Sequence, residues 1–236
     1  MKPEKFSDWL RQSLLFINRD PFVWLGYTLF MGVVLVVGRI SAALGIFLSV
    51  MCLFVGVGIA KYIDIKSSEQ RVSFSYALNK SLPLAILAAI AIVLCWFIFI
   101  VFANIASGEF HKIGQFFFYW QLTPENLHRK TSREIASWLY GYSNVALIFT
   151  VLMMTTFASW FSHSLMLFKD YSWSVAKERG NLIVAKHQNV LYKLMAFIFF
   201  EAVLCASITP LLTPVLYMLT STLMYISYRN LQHEFK

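Results

Sequence analysis

The distribution of apolar residues constrains this chain more than any other feature. Of its 236 residues, 58% are hydrophobic and 14% are charged, whereas charged residues make up about a quarter of an ordinary soluble domain. The apolar residues occur in blocks close to the roughly 20 residues that a helix needs to cross a bilayer. We therefore predict an all-α, polytopic integral membrane protein with six transmembrane helices, at residues 21–38, 40–60, 82–105, 145–168, 190–208 and 211–228.

Short polar signals mark the ends of several of these spans. Asp20 and Pro21 form a typical helix start, a capping residue followed by proline at the first helical position. Only Thr209 and Pro210 separate the last two spans, which predicts a tight hairpin. Arg39 alone separates the first two, which favours a second tight hairpin but leaves one long kinked span as an alternative.

The positive charges predict an orientation. Fifteen of the 20 Lys and Arg residues lie on the side that holds both termini, and five lie on the other. Because cytoplasmic loops carry the excess of Lys and Arg, we place both termini in the cytoplasm. The chain then divides into a cytoplasmic amphipathic segment at 1–20, a membrane domain at 21–228 and a cytoplasmic tail at 229–236.

An unbroken aromatic run distinguishes the largest extracytoplasmic segment, residues 106–135. It consists of Phe116, Phe117, Phe118, Tyr119 and Trp120. We interpret the run as an interfacial anchor or a re-entrant dip, because amphipathic rings favour the headgroup region. A surface that contacts a membrane partner is the second interpretation. A strand is disfavoured, since an unpaired strand has no hydrogen-bond partners in lipid.

A weak internal repeat organises the chain. The stretches "FSDWLRQS" (6–13), "FSYALNKS" (74–81) and "YSWSVAKE" (171–178) each precede a pair of spans on the cytoplasmic side. They predict three copies of a cytoplasmic surface helix plus a transmembrane hairpin, although such short matches also arise by chance. In the first copy, apolar residues recur at helical spacing, which is typical of a helix lying in the membrane interface.

Three longer stretches resemble a known group of proteins. They are "NRDPFVWLG" at the first span, "WSVAKERGNLIVAKHQNVL" before the fifth, and the ending "PLLTPVLYMLTSTLMYISYRNL". Together they are similar to the uncharacterised bacterial multi-pass inner-membrane proteins of the YciC-like kind. The resemblance implies a fold and a location only, and the aromatic segment at 106–135 departs from its pattern.

The sequence contains few of the side-chain motifs that indicate catalysis or metal binding. The sequence has no phosphate-binding glycine loop, no HExxH, no GxSxG and no Cys/His cluster, so we expect no enzyme, no cofactor and no metal. Glu201, predicted to lie near mid-membrane, is the foremost polar candidate, because an ionised carboxylate is expensive there. His163 and Asn144 are its candidate partners across helices. A buried, protonated packing carboxyl is the alternative for Glu201.

Three functions follow as hypotheses. The first is a non-catalytic protein that acts through protein or lipid contacts, as an accessory subunit, an immunity or exclusion factor, or an envelope-maintenance factor. The second is a small-solute or proton-coupled transporter or channel that uses Glu201. The third is an interfacial lipid-modifying enzyme around His111 and His128. As partners we expect the bilayer, with anionic lipids at the cytoplasmic face, and a membrane protein or a second copy, but not nucleic acid.

Overall fold

The computed structural model describes residues 5–67, 73–120, 122–128 and 130–235 of the chain. Within these ranges the chain is 88% helical and contains no strand. The α-helices are α1 Phe6–Ile17, α2 Pro21–Val37, α3 Ala42–Ser67, α4 Phe74–Ala106, α5 His111–Phe118, α6 Pro124–His128, α7 Ser132–Thr156, α8 Ser162–Lys169, α9 Trp173–Lys186, α10 Gln188–Ser207 and α11 Thr213–Leu231.

Six of the described helices are long and apolar enough to cross a membrane, which confirms the predicted multi-pass membrane class. They are α2, α3, α4, α7, α10 and α11. Their ends follow local capping signals. The Asp20 carboxylate accepts a hydrogen bond from the Val23 amide at 3.4 Å at the start of α2. At the start of α7, Thr131 and Glu134 form a capping box, as their spacing in the sequence predicts.

Two helices form the centre of the bundle. In the most apolar 18 residues of each span, about two thirds of α3 and almost three quarters of α11 are buried, compared with about a fifth of α4. The outward faces of the peripheral helices carry large exposed apolar side chains, as expected where lipid is the solvent. Examples are Phe22, Leu29, Leu87, Phe99, Phe102 and Leu152.

The junction of the first two spans is a tight hairpin and not a kink in one long helix. A 3₁₀ turn, Gly38–Ile40, follows α2, and the Ser41 hydroxyl accepts a hydrogen bond from the Leu44 amide at 3.3 Å at the start of α3. Gly38 and Gly45 face each other across this hairpin. A Cβ on Gly38 would lie 2.9 Å from the Cα of Gly45, so the close approach requires both glycines.

The fourth span differs from the prediction of 145–168. Helix α7 begins at Ser132 and ends at Thr156, and α8 follows after a short break. The apolar run continues through this break, so hydropathy alone places one helix there. At the break the chain turns inward to bury Trp160 and Phe161, and the Trp160 indole donates a hydrogen bond to the Ser227 hydroxyl at 2.9 Å.

Helix α1 packs on the bundle with one face. Its buried residues are Trp9, Ser13 and Phe16, while Leu14 and Leu15 are exposed. The side-chain oxygen of Gln12 accepts a hydrogen bond from the side-chain amide nitrogen of Asn230 in α11 at 2.9 Å. The described ends of the chain therefore lie at the same end of the bundle.

A carboxylate ties this end of the bundle together. Asp64, near the end of α3, accepts hydrogen bonds from the Tyr225 hydroxyl at 2.5 Å and from Arg229 at 3.1 Å. Arg19 reaches the same carboxylate at 3.6 Å. The network joins α3 and α11 to the segment that follows α1.

The predicted repeat appears in two of its three copies. A separate helix precedes a hairpin of spans in α1 and again in α9. In the second copy, residues 74–81 are the first turns of α4 itself, because the helix continues through Ser81 and Pro83 without a break from Phe74 to Ala106. The two spans that follow are also separated by α5 and α6.

We expect Gly56→Ala to destabilise the bundle. A Cβ at Gly56 would lie 2.5 Å from the Tyr27 hydroxyl and 2.7 Å from the Ser221 Cβ, which would force α3 away from α11. The expected loss is about 1–3 kcal/mol of unfolding free energy, the usual range for overpacking. The measurement is the unfolding midpoint of purified protein in mixed micelles titrated with a denaturing detergent.

Gly26→Ala is the matched control. Gly26 also lies within a span, but an added Cβ there meets nothing within 4 Å. Equal losses in both variants would contradict the close contact of α3 with α11.

Candidate functional site

The three polar residues singled out within the spans do not form one site. Asn144 lies on α7, His163 on α8 and Glu201 on α10. No hydrogen bond or ion pair between described residues joins any two of them. Each has its own surroundings, and each is therefore described separately.

Asn144 is part of a joint between helices. It is buried, and its side-chain oxygen accepts a hydrogen bond from the Thr213 hydroxyl of α11 at 3.2 Å. Next to it, the Tyr217 hydroxyl donates to the Ser143 carbonyl at 2.6 Å. These bonds hold α7 against α11, which is a structural role.

Glu201 lies at the edge of the buried face of α10. That face consists of Leu191, Leu194, Ile198, Ala202 and Cys205. The Glu201 side chain is half-buried and makes no hydrogen bond or ion pair with the described residues. Of the residues next to it on the helix surface, Phe200 is exposed and Phe197 and Leu204 are partly exposed on the outside of the bundle. Glu201 therefore borders the lipid-facing side of the bundle and lies outside the core between α3 and α11.

His163 is buried beneath an apolar groove. Its ring stacks on Phe54 of α3, with the centroids 4.1 Å apart and 28° between the planes. Its Nε2 atom is buried and has no hydrogen-bond partner among the described residues. The same holds for the neighbouring Ser162 hydroxyl. Buried polar atoms without a partner are uncommon, and each requires an explanation.

The groove separates α4 from α7 and α8 and has a volume of about 340 Å³. Its described lining contains no Asp, Glu, Lys or Arg, and its outer edges are large exposed side chains, Leu87, Phe157 and Trp173. The groove is therefore open towards lipid. Its walls are Leu84, Leu87, Ala88, Ala91, Ile92 and Cys95 of α4, Thr150, Met153 and Met154 of α7, and Ser162, His163 and Met166 of α8, with Phe54 at the base.

The aromatic run forms part of a short helix and an extended segment, not a strand. Phe116, in α5, is 4% exposed and packs 5.7 Å from the Phe97 ring of α4. Phe118 is 82% exposed, and Tyr119 and Trp120 are also exposed. The Phe117 ring also packs on Phe97, with the centroids 4.9 Å apart. The first two rings of the run therefore fix α5 to the bundle, and its last three rings face outward.

The sequence analysis missed a pair of cation–π contacts near the first hairpin, made by the side chain of Arg39. The Arg39 guanidinium lies between the rings of Trp138 and Tyr142 of α7, 4.5 Å and 4.2 Å from their centroids. Such contacts stabilise a cation by about 0.5–2 kcal/mol. The spacing of Trp138 and Tyr142, four residues apart on one helix face, was the available signal. The spacing alone does not indicate that Arg39 is the cation that contacts the two rings.

Metal-binding side chains do not converge in the part of the chain that the structure describes. No group of three His, Cys, Asp or Glu residues there could hold a metal ion. The three cysteines are free thiols. His111 and His128, considered for an interfacial enzyme, lie on α5 and α6.

No family model, curated protein or solved structure matches this chain. The resemblance to YciC-like proteins therefore stays a prediction from the quoted stretches.

We expect the aromatic run to divide sharply in its contribution to stability. Phe116→Ala should lower the unfolding free energy by about 3 kcal/mol, because it leaves a cavity against Phe97. Phe118→Ala should leave it nearly unchanged, because the ring is exposed. Unfolding midpoints in mixed micelles test the pair, and equal losses would contradict the packing of α5.

Proposed function

We propose that this chain is a non-catalytic, multi-pass protein of the bacterial inner membrane that acts through contacts with another membrane protein. The observation that carries the proposal is the half-buried Glu201 carboxyl at the lipid-facing edge of the buried face of α10, which has no hydrogen bond or ion pair with the described residues. An ionisable side chain within a span usually faces the bundle interior or pairs with another group. Glu201 does neither among the described residues, so a partner helix with a hydrogen-bond donor or a cation would supply the missing pair.

The surroundings of Glu201 favour a protein partner. Phe197 and Leu204, one turn before and one turn after Glu201, are partly exposed, and together with the exposed Phe200 they form an apolar patch beside the carboxyl. A partner helix can pack on this patch while one of its polar side chains bonds Glu201, and interhelical bonds of this kind contribute about 0.6–2 kcal/mol. The outward rings of Phe118, Tyr119 and Trp120 provide a second contact at the extracytoplasmic surface.

A transporter or channel that uses Glu201 is the second candidate. The unpaired carboxyl supports it, but the centre of the bundle does not, because α3 and α11 touch closely at Gly56 and Ser221. Broken helices at a mid-membrane binding site are typical of transporters. Helices α3, α4 and α10 run without a break across the bundle, and therefore favour the first candidate.

The orientation belongs to the same proposal. The distribution of Lys and Arg favours a cytoplasmic position for both termini, and the bond between Gln12 and Asn230 supports a common side for them. The basic residues there would also attract anionic lipid, at about 1 kcal/mol each. The resemblance to YciC-like inner-membrane proteins supports the same location.

Thiol labelling in bacterial cells tests the orientation. Ser107→Cys, in the turn after α4, should react with a membrane-impermeant maleimide in intact cells. Ser172→Cys, before α9, should react only after the membrane is permeabilised. Both positions are exposed, and the three native cysteines lie within the spans. The reverse pattern would overturn the orientation.

Site-specific photocrosslinking tests the partner contact. We expect a photoreactive phenylalanine analogue at Phe200 to give a defined adduct in native membranes at endogenous expression. The same analogue at Leu29, equally exposed on α2, should give none and is the matched control. Because the adduct depends on the carboxyl, Glu201→Gln should reduce it severalfold.

A carboxyl outside the membrane controls for charge. Glu178→Gln, on the exposed side of α9, removes one carboxyl without touching α10 and should leave the adduct unchanged. The absence of an adduct at Phe200, or an adduct indifferent to Glu201→Gln, would overturn the proposed contact. If the protein has no partner protein and the Glu201→Gln variant loses a solute flux that the natural chain supports, the transporter would be established instead.

A further inference from the structure

The groove between α4 and α8 combines three features that rarely occur together within a membrane bundle. Its lining is almost entirely apolar and it is open to lipid, it has the volume of a small-ligand pocket, and its lining includes His163 and Ser162, whose Nε2 and hydroxyl atoms are buried and have no partner among the described residues. A purely structural groove between helices would require only the first feature. The polar atoms therefore require a separate explanation.

We propose that this groove binds a single-chain membrane amphiphile whose polar end is an uncharged hydroxyl. The chain would lie between α4 and α7, and the hydroxyl would bond the Nε2 atom of His163 and the hydroxyl of Ser162. This site involves no residue of the α10 surface, and the proposal stands whether or not a partner binds Glu201.

The polar end of the ligand follows from the base of the groove. Both His163 and Ser162 are more than nine-tenths buried, and each belongs to the lining. A hydroxyl donates one hydrogen bond and accepts others, so it can pair with His163 Nε2 in either tautomer of the neutral ring. The same hydroxyl can also satisfy Ser162.

The charge of the ligand follows from the lining. The described lining includes no cation that could compensate a carboxylate or phosphate, and an uncompensated charge in an apolar site is strongly disfavoured. An anionic head group would therefore have to remain at the interface, outside the groove. A neutral head group can enter.

The shape of the groove fits a single hydrocarbon chain. It follows α4 from Leu84 to Cys95, about 16 Å along the helix axis. Small residues, Ala88 and Ala91, line its α4 side and leave the space open. The opposite wall contains three methionines, Met153, Met154 and Met166, whose flexible side chains adapt to an apolar chain.

Photolabelling of the purified full chain in lipid nanodiscs tests the proposal. The probe is a long-chain alcohol with a photoreactive diazirine in its chain, and the comparison probe is the matching carboxylic acid. We expect saturable labelling of groove residues by the alcohol, located by mass spectrometry of the peptides. The acid should label these residues about fivefold less.

Two variants test the space for the hydrocarbon chain of the ligand separately from the bonds to its polar end. Ala91→Trp should abolish the labelling, because Ala91 is exposed on the groove side of α4 and an indole there fills the space. Ile98→Trp, exposed on the same helix but outside the lining, is the matched control and should label like the natural chain. Glu201→Gln should also label normally.

His163→Phe tests the hydrogen bond without removing the ring that stacks on Phe54. Labelling by the alcohol should fall about fivefold, the effect of one lost hydrogen bond. The thermal stability should stay the same or rise, because a buried, unpaired polar atom is removed. A stability loss with labelling unchanged would assign His163 to packing alone and would overturn the proposal.

Two further results would also overturn it. One is labelling spread over the lipid-facing helices that does not saturate and is insensitive to Ala91→Trp. The other is equal labelling by the acid and the alcohol.

Discussion

The close contact of α3 with α11 determines the arrangement of the remaining helices. Lipid offers no hydrophobic drive to bring two helices together, so their association depends on close packing and interhelical hydrogen bonds. Gly56 provides the close packing, because its missing side chain leaves room for Ser221 and Tyr27. Hydrogen bonds follow directly from it: the Ser221 hydroxyl donates to the Leu53 carbonyl and the Tyr27 hydroxyl to the Cys52 carbonyl, both at 2.8 Å.

The peripheral helices differ in how firmly they join this pair. Helix α7 is bonded to α11 through Asn144 and Tyr217, and α1 is linked to it through Gln12. Helix α4 packs on α3 with a narrow face of mostly small residues, Ser81, Ala85, Ala89, Ile92 and Val93. Towards α7, the Trp96 ring of α4 packs on the Phe149 ring with the centroids 4.6 Å apart, but between Leu84 and Cys95 a space remains between α4 and the helices α7 and α8. This space is the groove.

The sequence allowed the spans to be predicted because bilayer thickness fixes their length. It also located the helix start at Asp20 and the tight hairpin beside Arg39, since these depend on neighbouring residues. The break between α7 and α8 was missed, because apolar residues continue through it and its cause is a contact of Trp160 with the distant Ser227. His163 was singled out as polar within an apolar stretch, but its stacking on Phe54 and the groove above it depend on residues far apart in the chain.

Glu201 and His163, two side chains with a polar group that has no partner among the described residues, differ in a way that separates their roles. Glu201 is half-buried beside the exposed Phe200, so a group that reaches it must arrive across an open helix surface. A second helix can do so. His163 lines an apolar groove of about 340 Å³, the volume of a small-ligand pocket. A small molecule with a polar end fits a space of this size, and a hydroxyl is the group that we propose for its Nε2 atom. The geometry of approach therefore assigns a protein partner to α10 and a small amphiphile to the groove beside α4.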